Sequence, residues 1–143
     1  MLGLGNFSNV KMDARIEIKP SLIVNAGLGV FAKIDMPAET FLDYYKGQIV
    51  DIDKPGGTAA SDKLMTIKKK PPWWPADLPF GNSAIINGAV NGNWITMINH
   101  SSSPNIDFDQ AGKFYTIRPI ETGEELLVDY GYEYWRHGPI QLC

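Results

Sequence analysis

Short apolar alternations separated by turn residues dominate the chain, and no stretch carries helical periodicity over more than about three turns. Ile16-Glu17-Ile18-Lys19 alternates, and Val30-Phe31-Ala32, Phe41 to Tyr45, Phe114 to Arg118 and Glu125 to Tyr130 each read as strands. Turn residues punctuate them at Gly27-Leu28-Gly29, Met36-Pro37, Gly47, Gly56-Gly57, Asn91-Gly92-Asn93, Ala111-Gly112 and Thr122-Gly123. The pattern predicts a mostly β protein of small sheets joined by tight turns, with few short helices. The apolar run Trp94-Ile95-Thr96-Met97-Ile98 changes abruptly into seven polar or turn residues, Asn99 to Asn105, which predicts a strand or short helix running into a loop. One segment breaks the rhythm: Lys68-Lys69-Lys70-Pro71-Pro72-Trp73-Trp74-Pro75. Its prolines forbid a regular ladder or a central helix, so it reads as a rigid loop. Its tryptophans either cap the core or wall a substrate groove.

Length and charge narrow the picture. The 143 residues, 44% of them hydrophobic, suffice for one domain spanning 1–143 with its own core. Cys143 is the only cysteine and the last residue, so neither an internal disulfide nor a thiolate zinc cluster is expected. His100 and His137 lack ligand-spaced partners, and no metal is expected. A net charge of −3 argues against direct nucleic-acid binding through counterion release. Between Asp107 and Glu133, however, seven acidic side chains face two basic ones, a local net of −5 that would attract a lysine-rich peptide. No apolar run reaches the length of a membrane span and no secretion signal is evident. An intracellular protein without a membrane partner is therefore expected.

Several segments could carry chemistry. Gly27-Leu28-Gly29, at a turn entering a strand, would let a ligand approach the main chain closely, although a plain turn has the same composition. It lacks the third glycine of a dinucleotide fingerprint. His100 beside Ser101 does not read as a hydrolase pair, because sequence neighbours rarely point at one another and no GxSxG elbow is present. Asp129-Tyr130-Gly131-Tyr132-Glu133-Tyr134-Trp135 places four aromatic residues within six positions. Such density serves packing, and it can also cage an alkylammonium group through cation–π attraction.

In this order and with these spacings, the segments resemble the SET-domain protein lysine methyltransferases. The likeness rests on Gly27-Leu28-Gly29-Val30-Phe31-Ala32, on Tyr45-Lys46-Gly47, on Asn99-His100-Ser101-Ser102-Ser103-Pro104-Asn105 and on Gly123-Glu124-Glu125-Leu126 running into Asp129-Tyr130-Gly131. It covers about residues 14–136. The chain is most similar to minimal members, including small viral and bacterial ones, that lack cysteine-rich flanking segments. The resemblance implies a fold of small β-sheets around a pseudoknot, in which the NHSxxPN and ELxxDY segments thread past each other.

It also implies S-adenosyl-L-methionine as cofactor, touched by Gly27, Leu28, Gly29, Asn99, His100 and Tyr130, with Trp135 stacking on the adenine. Tyr130 matches the family's catalytic tyrosine. Tyr45, Val128 and Tyr132 match positions of the substrate lysine channel, while Asn105 and Asp129 would hold the crossing segments together. The expected partner is a lysine-rich protein, a histone tail among them, which would place the protein in the nucleus or a host nucleus. A homodimer is expected if a second copy completes the cofactor site, because the closing lid must come from Tyr132 to Cys143 or from a partner. Departures from the family pattern are Val128 where Phe or Tyr is frequent, Asn87 where Asp is common and Thr96 where Arg is frequent. The alternative from another class is a catalytically silent module that keeps the fold to bind a peptide.

Overall fold

The computed structural model describes residues 12–50 and 63–131. Ten short strands form three small sheets, and the only regular helix among the described residues is a four-residue 3-10 turn, Trp94–Met97. In the first sheet β1 (Ile16–Pro20) pairs antiparallel with β2 (Leu28–Ala32). The alternation read in β1 follows the register: Ile16 is buried while Glu17 and Lys19 face outward. Val30, Phe31 and Ala32 are buried together, as a run of apolar residues covered on both faces requires.

β3 (Phe41–Tyr44), β7 (Asn99–His100), β8 (Ile106–Phe108), β9 (Lys113–Thr116) and β10 (Leu127–Val128) form a five-stranded sheet in the order β3-β9-β8-β10-β7. A third sheet joins β4 (Gln48–Val50), β6 (Ala84–Asn87) and β5 (Leu64–Ile67). This last sheet went unread in the sequence, because its strands are three or four residues long and flanked by loops that blur alternation.

The predicted strand Glu125–Tyr130 shrinks to Leu127–Val128 for a physical reason. Residues 124–126 are extended but bond to β2, with the Ala32 N–H donating to the Glu124 carbonyl at 2.9 Å and the Leu126 N–H to Val30 at 2.8 Å. The chain then changes partners. Leu127 and Val128 run parallel to β7 on one side, and Val128 pairs with Ile106 of β8 on the other. Since β7 and β8 are consecutive in sequence, β10 is threaded between two ends of one loop. That is the crossing which the family resemblance implied.

Asn105 fastens it. Its side-chain amide donates to the Glu125 carbonyl at 3.0 Å, its side-chain oxygen accepts the Leu127 N–H at 2.8 Å, and its own N–H donates to Leu127 at 3.0 Å. Asn105 is 2% exposed, so removing the amide strands two buried main-chain groups. Replacing Asn105 by Ala is expected to cost about 2–4 kcal/mol of stability, read as a lower urea midpoint at unchanged slope. A loss below about 0.5 kcal/mol would mean that packing alone holds the crossing. Asp129 takes a lesser part than expected: it is exposed, and its carboxylate accepts the Gly131 N–H at 2.8 Å.

The core gathers Ile16, Phe31, Ile67, Ile86, Trp94, Ile95, Ile106, Phe114, Ile120, Leu126 and Val128 from all three sheets. Trp74 belongs to it. Its indole N–H donates to the Leu78 carbonyl at 2.8 Å and its ring meets Phe80 edge-on at 4.9 Å, while Trp73 packs half-buried against the same core. The tryptophan loop caps the core. Arg15 joins β1 to β3 by donating to the carbonyls of Phe41 and Leu42. Its guanidinium also hydrogen-bonds Asp13 and holds that carboxyl below the usual range. No helix among the described residues is long and apolar enough to cross a membrane.

Candidate active site

The site assembles where β2, β7 and β10 meet. Gly27 stands at φ +72°, and nothing lies within 4 Å of where a side chain would begin. That conformation suits glycine and leaves the main chain bare. Two residues on, a Cβ at Gly29 would run into the Glu125 carboxylate, so the second glycine is required by packing inside the protein. Leu28, between them, offers its carbonyl to the Asn99 amide at 3.0 Å.

Glu125 is the residue that sequence reading missed. It was counted toward an acidic surface, yet it is 7% exposed. Its Oε2 accepts the Ser21 hydroxyl at 2.7 Å and the Asn99 amide at 3.2 Å, and its Oε1 accepts the Leu22 N–H at 3.0 Å. The Ser21 N–H in turn donates to the Gly27 carbonyl at 2.8 Å, closing the loop 21–27. One buried carboxylate thus ties that loop to Asn99 of β7. The sequence signal was available in its position: Glu125 adjoins Leu126, Leu127 and Val128, and a carboxylate at the edge of an apolar strand is buried only when donors converge on it.

Tyr130 follows β10 directly. Its hydroxyl donates to the Ile98 carbonyl at 3.0 Å, and its N–H donates to Nδ1 of His100 at 3.3 Å. The two rings stack at 6.4 Å with 22° between planes. Asp129 Oδ1 lies 3.8 Å from the same His100 nitrogen. Behind Tyr130 the aromatic contacts continue to Phe108 at 6.0 Å and Phe114 at 6.5 Å, and Phe114 stacks on Tyr45 at 6.1 Å. Phe114 therefore bridges the two tyrosines. Tyr45 is 2% exposed and its hydroxyl donates to the Lys63 carbonyl at 2.6 Å.

The structure thus brings Gly27, Leu28, Gly29, Asn99, His100 and Tyr130 to one locality, and links Tyr45 to it through Phe114. Val128, like Phe114 and Tyr45, is enclosed, at the end of β10 in the five-stranded sheet. Tyr132 and Trp135 lie outside the described residues.

The residues present would accommodate S-adenosylmethionine: the bare main chain at Gly27 permits close approach, and the stacked rings of His100 and Tyr130 stand on β7 and just beyond β10. Among the described residues no group of three His, Cys, Asp or Glu side chains is placed to hold a metal ion. Of the acids counted near this end, Asp107, Asp109, Glu121 and Asp129 are exposed, whereas Glu124 pairs with Arg118 at 3.0 Å.

Comparison with known proteins bears on the same stretch. The sequence model described as "SET domain" matches residues 27–131, from the Gly27 turn to Gly131. The chain is 26% identical over 119 residues to the histone-lysine N-methyltransferase Set2 of Drosophila melanogaster; the match covers 78% of this chain and 5% of that much longer protein. Its fold is similar to that of the methyltransferase domain of human PR domain-containing protein 2, with a TM-score of 0.60 and 20% identity, over 82% of this chain and 77% of that one.

Proposed function

The chain belongs to the SET-domain family, and from that membership we propose that it is an S-adenosylmethionine-dependent protein lysine N-methyltransferase. The observation that carries the reading is the Tyr130 hydroxyl. It is oriented by the Ile98 carbonyl, flanked by His100, and joined to Tyr45 through Phe114 at the β7–β10 crossing. The main chain of Gly27 to Gly29 with Asn99 and His100 would hold the cofactor. When bound, S-adenosylmethionine supplies a methyl group already activated by its sulfonium.

What remains for the protein is to deliver an unprotonated amine. A free lysine has a pKa of about 10.4 and is charged at neutral pH. Tyr45 and Tyr130, with Phe114 packed between them, would shield the amine from water, and burial lowers the pKa of an ammonium. The Tyr130 hydroxyl then orients the amine, and positioning supplies most of the rate. The exposed Asp107, Asp109, Glu121 and Asp129 favour a lysine-rich substrate, of which a histone tail is the leading example. Set2, the similar Drosophila protein, is named for histone-lysine methylation.

The test is calorimetric titration with S-adenosylmethionine, followed by mass spectrometry of histones and cell extract after incubation with the protein and labelled cofactor. Saturable binding and label on lysine are expected. A chain that binds no cofactor and labels nothing is the silent peptide-binding module instead.

A further inference from the structure

The five-stranded sheet has two faces. One carries Phe108 and Phe114, which contact Tyr130. On the other, the register sets Phe41 of β3, Tyr115 of β9 and Asp107 of β8 in one row across three strands, because directly paired residues share a face. Phe41 is 46% exposed, and Ile117, two residues beyond Tyr115, is 43% exposed, so no described element packs over the row. Carboxylates gather around it. Burial, followed by the charges of Asp107, Asp109 and Glu39, pushes the Tyr115 hydroxyl up, which marks all three acids as its neighbours. Among the described residues no lysine, arginine or histidine stands within ion-pair distance of any of the three. Lys113 shares the face with Tyr115, two residues on along β9. Its ammonium lies over the Phe41 ring at 5.5 Å, so an aromatic ring of this face already receives a cation.

Resting on the methyltransferase reading above, we propose that this face docks a lysine- and arginine-rich stretch of the protein substrate, outside the lysine that reacts. Charge decides the occupant. A second copy of the chain meeting this face across a two-fold axis would set the same carboxylates against each other, and nucleic acid or an anionic lipid surface would be repelled. A cationic segment finds charged acceptors in Glu39, Asp107 and Asp109 and aromatic faces in Phe41 and Tyr115. β8 and β9 carry this face on one side and the contacts with Tyr130 on the other. A segment held here is therefore held to the strands that build the site. The reacting lysine is thereby tethered to the domain, which raises its effective concentration at the site.

The experiment is fluorescence anisotropy of a labelled histone-tail peptide rich in lysine and arginine, titrated with the full chain at low salt without cofactor. A second peptide carries acetyl-lysine and citrulline in place of those cations. Glu39→Gln combined with Asp107→Asn is expected to bind the cationic peptide about fivefold more weakly than the parent chain, with a shallower salt dependence, and the neutral peptide as the parent does. Phe41→Ala should lose about threefold, and Phe41→Tyr should keep the parental affinity. The control is Glu17→Gln combined with Asp77→Asn, which removes the same charge from exposed positions on β1 and the tryptophan loop. It is expected to change affinity by less than about twofold. Calorimetric affinity for S-adenosylmethionine should stay parental in every variant. An equal loss in the control, or folded variants of the face that bind the cationic peptide as the parent does, overturns the proposal. A parent chain that binds no cationic peptide overturns it too, whereas the methyltransferase reading falls only if the chain binds no cofactor and labels no lysine.

Discussion

Replacing Tyr130 by Phe is expected to lower methyl transfer by about a hundredfold or more while leaving affinity for S-adenosylmethionine within about twofold. The substitution removes one oxygen. In the folded chain that oxygen donates only one described hydrogen bond, to the Ile98 carbonyl at 3.0 Å, whose loss costs about 1 kcal/mol. The ring stays, and with it the stacking on His100 and the contacts with Phe108 and Phe114. The main-chain N–H that bonds to His100 also remains. What disappears is the hydroxyl that orients the attacking amine, an interaction needed in the transition state more than for binding. Single-turnover rates measured beside calorimetric titrations separate the two effects. Unchanged turnover would remove Tyr130 from its role, and a parallel collapse of cofactor affinity would make it a structural residue.

The contrast between what sequence revealed and what it hid follows from the range of the forces involved. β1 and β2 were legible because Ile16, Ile18 and the Val30–Ala32 run express burial locally, residue by residue. Asn99–Asn105 and Glu125–Gly131 were legible as a pair, but the threading of β10 between β7 and β8 is a long-range pairing that no local pattern encodes. The same distinction explains what was missed. Glu125 was read as surface charge because its donors, Ser21 and Leu22, lie more than a hundred residues away in the chain. Residues whose function rests on a distant partner were the ones sequence passed over.

Replacing Glu125 by Ala is expected to weaken cofactor affinity at least tenfold and to lower stability by about 2–4 kcal/mol. The carboxylate accepts three hydrogen bonds from two segments, and its removal leaves the Leu22 N–H and the Asn99 amide short of an acceptor. It also frees the loop 21–27, which leads directly into the Gly27 turn. Replacing Gly29 by Ala attacks the same contact from the opposite side, because the added Cβ would collide with that carboxylate. Each single variant should therefore loosen the loop and weaken cofactor binding. Combined, they should not add: with Ala at 125 the carboxylate is gone and the Gly29→Ala methyl group keeps only the Asn99 amide nitrogen, at 3.2 Å, as a close neighbour, leaving a coupling of about 1 kcal/mol or more. Calorimetric cofactor titration and urea unfolding of the four chains complete the cycle. Additive losses would show that Gly29 and Glu125 act separately, and a Glu125→Ala chain that is less stable but binds cofactor normally would confine the carboxylate to a structural role.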